Sequence, residues 1–125
     1  MKQVLVNNLS RQVEQPVKAV YCTSFLCRLR GLMFRRMLSD LEGLLLVQSK
    51  DSRVDSSIHM MFMRFDIGVL WINQAFEIVD VCLARQWRPA YFPKYPARYV
   101  LEMRPERLND YQIGDKVQFD EIEMD

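Results

Sequence analysis

An α+β fold built mainly of antiparallel β structure is what this sequence predicts: a curved sheet or partly closed small barrel, with one moderate and one short helix packed alongside. Three observations lead there. About eight short runs rich in valine, isoleucine, leucine and aromatic residues follow one another at regular spacing. The connections between them are short. The strand–helix alternation of a parallel sheet is missing, and so is a glycine-rich phosphate loop, which argues against a doubly wound nucleotide-binding fold.

The elements follow in chain order. "KQVLVNN" and "VKAVYC" read as two strands, each valine-rich and bounded by polar or proline-containing sequence. In "TSFLCRLRGLMFRR", Phe25, Leu26, Leu29, Leu32 and Met33 recur at three- and four-residue steps, which is helical period. Thr23 or Ser24 is placed to cap the first turn, and Gly31 to end or kink the helix. A strand follows from about Gly43 in "LEGLLLVQS", then a polar loop, "DSRVDSS". "IHMMFM" reads as a strand apolar on both faces, and therefore interior.

"IGVLWINQAFEIVDVCLAR" reads as a hairpin turning at Asn73 and Gln74. Its return strand changes phase, and a bulge near Val79 reconciles the two phases. "QWRPAYFPKYPARY" carries three of the five prolines and reads as a loop. "RYVLEM" is a further strand. Pro105 suits the first position of a short helix, "PERLNDY". Gly114 and Asp115 turn the chain into a last strand.

Composition bounds the function. The 125 residues make one domain, residues 1–125, large enough for a proper core. Seventeen basic residues oppose sixteen acidic ones, and a net charge of +1 supplies no global field toward nucleic acid or an anionic membrane. No apolar run reaches the roughly 20 residues that a membrane-spanning helix needs, and the start lacks a signal-peptide core. Cys22, Cys27 and Cys82, an odd set, are expected as reduced thiols in the cytoplasm.

"RGLMFRR", "LEGLLLV", "SIHMMFMRFDIGVLWIN", "ARYVLEM" and "IGDKV" occur in the order and spacing of an uncharacterised family, domain of unknown function 192. The chain resembles that family from about residue 29 to residue 117. The resemblance implies a small domain of mostly antiparallel β structure and supplies no mechanism. It also shows one departure: where the family usually has an aspartate, this chain has Gly68, with Asp66 two positions earlier. Along a strand those two positions lie about 6.6 Å apart, so Asp66 does not replace the missing group.

The candidate residues divide into several sets. His59, the only histidine, is expected in the packed interior, hydrogen-bonded through at least one ring nitrogen and surrounded by gap-filling methionines. A copper(I) site from His59, Met61 and Met63 is disfavoured, because His59 and Met63 sit about 13 Å apart along an extended strand. A zinc site from Cys22, Cys27, Cys82 and His59 has loose, scattered spacing. No complete nucleophilic set or G-x-S-x-G elbow occurs.

Twelve of the seventeen basic residues are arginine, and Arg28, Arg30, Arg35 and Arg36 surround the end of the helix. Such forks hold carboxylate or phosphate, although pairing with Asp40, Glu42 or Glu102 is the plainer account. Trp87 and Arg88, with Tyr91, Phe92, Tyr95 and Tyr99 nearby, form either a contact surface or a folded-down cap.

The expectation is a non-enzymatic cytoplasmic binding or accessory domain for a small anionic ligand or a protein partner. Its ligand-binding candidates are Arg35, Arg36, Trp87, Arg88 and Tyr99. No cofactor, metal, nucleic acid or membrane is expected. The alternative is a metal-dependent protein or hydrolase-like enzyme using His59 with Asp66 or Glu102.

Overall fold

The structure, a computed structural model, describes residues 2–122. Seven strands form one mixed sheet: β1 (Gln3–Asn8), β2 (Val17–Cys22), β3 (Glu42–Ser52), β4 (Ile67–Ile72), β5 (Ile78–Ala84), β6 (Ala97–Met103) and β7 (Val117–Ile122). Their spatial order is β5-β4-β6-β3-β2-β1-β7. β2 and β3 pair parallel; the other neighbours pair antiparallel. Two short helices complete the chain, α1 (Phe25–Arg30) and a 3₁₀ helix over Pro105–Asp110. No helix among the described residues is long and apolar enough to cross a membrane.

The sheet does not close into a barrel. Its edge strands β5 and β7 share no ladder; beside them Glu77 and Lys116 form an isolated bridge. One expected strand is absent as well. In "IHMMFM" only Ile58 pairs, in an isolated bridge with Tyr91, and residues 59–66 are irregular. The run is rich in apolar residues because it covers the sheet. Met60 and Met63 are buried against Leu44, Leu46, Val69, Trp71 and Val100.

Alternation along the strands separates two cores. Leu44, Leu46, Val69, Trp71 and Val100 face one side. Leu45, Val47, Leu70, Ile72 and Leu101 face the other, with Val4, Val6 and Tyr111. All six residues of β4 are buried, as befits a strand covered on both faces. The β4–β5 hairpin turns through Asn73, whose side chain accepts from the amides of Ala75 and Glu77. Trp71 pairs with Asp80 and Ile72 with Ile78, so Val79 is the extra residue that re-aims the strand.

The helix after β2 is shorter than its apolar period predicts. It spans six residues, capped by Ser24 accepting from the Cys27 amide and closed by Gly31, and none of the six is buried. Leu32 enters the core only after the helix has ended. Cys22 and Cys27 are disulfide-bonded, which corrects the expectation of reduced thiols. Cys82 is free.

Candidate functional site

Three connections converge at one end of the sheet: residues 31–38, 57–66 and 85–92. Backbone hydrogen bonds lace them together. Phe34 N donates to the Phe62 carbonyl at 3.1 Å, Trp87 N to the Met60 carbonyl at 2.8 Å, and Met60 N to the Arg88 carbonyl at 2.8 Å. The outcome is a stack of rings. The Phe34 and Phe62 centroids lie 5.3 Å apart, and Phe62 meets Trp87 edge-on at 5.2 Å. All three rings stay largely in solvent, at 56%, 45% and 54% exposure.

The backbone beneath them is strained. Phe34, Phe62 and Trp87 sit at φ of 67°, 62° and 66°, and are three of the four non-glycine residues at positive φ among the described residues. Bulky residues in that region cost on the order of 1–3 kcal/mol each and persist where the surroundings over-determine them. Here the cross-loop hydrogen bonds impose the conformation, and what they hold up is exposed apolar surface.

Each ring is followed within two residues by an exposed arginine: Arg35 and Arg36 after Phe34, Arg64 after Phe62, Arg88 after Trp87. Arg35 is engaged, donating to Glu42 at 3.1 Å and to the Met37 carbonyl at 3.3 Å. Its grip on Glu42, together with the Ser39 contacts, outweighs the effect of burial and lowers the Glu42 pKa. Arg36 borders a recess with Asp66, Arg104 and Glu106. The loop with three prolines folds down in part: Tyr91 pairs with Ile58 and its hydroxyl accepts from the Arg85 amide, while Phe92 and Tyr95 remain exposed.

Tyr99 lies elsewhere. It is buried against Phe76 and Phe119, with ring centroids 5.6 and 5.0 Å away, in an open cleft of about 690 Å³ that Lys2 and Lys116 also border. The five residues expected to bind a ligand therefore do not form one site.

His59 and Glu102 do come together, lining one small hollow between the end of α1 and residues 57–63. His59 is half-buried, not enclosed in the interior as expected. Both of its ring nitrogens are occupied: Nδ1 accepts from the Met61 amide at 3.2 Å, so Nε2 carries the proton donated to the Leu29 carbonyl at 3.1 Å. Glu102 is 4% exposed, and burial pushes its carboxyl up to about 7. Asp66 faces a different recess and accepts from the Gln86 amide at 2.9 Å.

The other chemistry considered earlier finds no set of groups. Cys22 and Cys27 bind each other and are lost as thiolate ligands. Burial, with the Asp80 carboxylate adding to it, pushes the Cys82 thiol up to about 12, far from a reactive thiolate. No cluster of three or more histidine, cysteine or acidic residues suited to a metal ion occurs among the described residues.

What sequence reasoning missed is the pairing of Phe34 with Phe62. Nothing in the local pattern announces it, because aromatic residues disfavour left-handed backbone. The only trace was the excess of apolar residues in segments that form no regular element.

Comparison with known proteins gives one consistent result. The family model DUF192, described as Uncharacterized ACR, COG1430, matches residues 6–119. A UPF0127 protein of Thermococcus gammatolerans is 39% identical over 102 residues, covering 80% of this chain and 65% of that protein. A UPF0127 protein of Pyrococcus furiosus is 30% identical over 118 residues, covering 92% and 97%. The crystal structure of a protein of unknown function from Novosphingobium aromaticivorans shares the fold, with a TM-score of 0.80 at 18% identity over 93% of this chain and 83% of that one.

Proposed function

We propose, from the premise that this chain belongs to the uncharacterised DUF192 family, that it is a non-enzymatic binding domain whose aromatic shelf takes an acidic protein segment. One observation carries the reading: Phe34, Phe62 and Trp87 are held exposed and in ring-to-ring contact on strained backbone, each with an arginine within two residues in the chain. Aromatic rings and arginine are the residue types that dominate the centres of protein interfaces. Apolar side chains of the partner lie on the rings, and its carboxylates meet Arg36, Arg64 and Arg88. The surface works in either redox compartment, so the Cys22–Cys27 bond, which removes the support for a cytoplasmic location, leaves the reading intact.

The enzymatic alternative has one point in its favour, the shared hollow of His59 and Glu102. It is the weaker reading, because both imidazole nitrogens are already engaged and Asp66 lies in another recess.

Trp87 supplies the test. Trp71 is 1% exposed and Trp87 54%, so a change in the solvent-exposed tryptophan emission reports on the shelf. A glutamate-rich peptide containing phenylalanine shifts that emission to the blue in a saturable way, and its lysine counterpart does not. Arg88→Ala weakens the affinity about tenfold, which corresponds to about 1.4 kcal/mol. An unshifted spectrum, or equal affinity in the folded Arg88→Ala protein, removes the shelf as the binding surface.

A further inference from the structure

Three acids are buried among the described residues: Asp80, Glu102 and Asp115. Two are fully engaged. Asp80 accepts from the Val81 and Lys94 amides, each at 2.9 Å. Asp115 accepts from Asn8, Arg11 and the Gln112 amide. Among the described residues Glu102 accepts from no donor, yet its oxygens are not sealed off. They front the hollow behind α1. Oε1 would stand 3.4 Å from a Cβ on Gly31, the residue that ends the helix at φ 51°.

We infer that this hollow binds the head of a primary alkylammonium ligand, with Glu102 as its counter-charge. The inference concerns a different site from the aromatic shelf and does not rest on it. Burial disfavours the ionised form of Glu102, and a cation in the hollow that its oxygens front offsets that cost.

Size admits such a head. The hollow measures about 40 Å³, above the roughly 10–15 Å³ that holds one water, and an ammonium head is of similar size to water. Its other walls include Leu32, Leu46, Ile58 and Met63, which suit the methylene attached to that head. Arg28, Leu29 and His59 also line an adjacent open groove of about 360 Å³ bordered by Phe25, Gln48 and Asp55, with room for the rest of the chain.

The surrounding charges permit a cation. From α1, Arg28 and Arg30 both border the hollow; Arg28 donates to the Val47 carbonyl at 3.0 Å, and neither pairs with Glu102. From residues 57–63 the hollow is bordered by His59, whose two ring nitrogens are engaged by the Leu29 carbonyl and the Met61 amide. β3 presents Leu46. Asp55 at the mouth adds negative charge. Among the described residues no cation pairs with Glu102.

The probe is n-butylammonium chloride, titrated into the whole chain by calorimetry, with n-butanol as the neutral control. Binding is saturable, and butanol gives none. Glu102→Gln, which keeps the shape and loses the charge, weakens it at least tenfold. In the unaltered protein the affinity falls about tenfold from roughly pH 8 to roughly pH 6, because Glu102 must release its proton to pair with the cation. Absence of saturable binding, which is the result if a single water fills the hollow, overturns the inference. Equal affinity in a folded Glu102→Gln protein does so too. Should that variant fail to fold, a flat pH profile in the unaltered protein is decisive against it.

Discussion

At Gly68 a Cβ would stand 2.8 Å from Leu108 Cγ and 3.2 Å from the Arg104 carbonyl oxygen. The family resemblance leads one to expect aspartate at this position. In this chain the 3₁₀ helix lays Leu108 across β4 and occupies the space such a side chain would fill. Gly68→Asp should therefore lower stability by about 1–3 kcal/mol, the usual cost of overpacking. The denaturant midpoint should fall at unchanged slope, and removing Leu108 in the same protein should recover part of the loss. An unchanged midpoint would mean that Leu108 yields freely. The glycine was legible in the sequence as a departure. The leucine that fills its place, 40 residues further on, was not, since only the fold brings the two together.

At the scale of elements, α1 depends on attachments outside itself. A six-residue helix with no buried side chain has no stability of its own in water. It is held by the Ser24 cap, by Arg28 donating to the Val47 carbonyl, and by the disulfide to Cys22 at the end of β2. Cys27→Ser, or reduction of the bond, should raise amide exchange at residues 27–31 at least tenfold while leaving β4 and β6 protected. Equal protection in the two forms would show that the cap and Arg28 suffice. Helical spacing was right about where the turn begins and where Gly31 ends it. It was wrong about packing, because Phe25, Leu26 and Leu29 point to solvent and Leu32 does the burying. The run "IHMMFM" misleads for a related reason. Apolar composition records that a segment covers a core, and regular hydrogen bonding is a separate matter decided by neighbours.

Across the whole molecule, the sheet order determines which distant segments meet. β3 lies between β2, parallel to it, and β6, antiparallel to it, which brings residues 43–47 against 99–103. Tyr111 ties the opposite end of the order together. Its buried hydroxyl donates to the Val6 carbonyl at 2.9 Å and accepts from the Val17 amide at 3.2 Å, joining β1 and β2 to the segment before β7. Tyr111→Phe removes that hydroxyl and leaves both groups short of a partner. It should cost about 1–3 kcal/mol of unfolding free energy, measured by equilibrium denaturation. A loss well under that range would mean that water reaches the site.

The sequence by itself determined the local facts: where most strands run, the Asn73 turn, a bulge near Val79, a cap at Thr23 or Ser24, and the family to which the chain belongs. These follow from side-chain period and from groups within a few residues of one another. Tertiary structure alone decided that the sheet stays open, that Cys22 and Cys27 are joined, that Tyr99 sits apart from Trp87, and that Glu102 faces His59 across a hollow. Each of these depends on segments meeting through the sheet order, or on the trajectory of an irregular loop, and neither leaves a periodic trace in the chain.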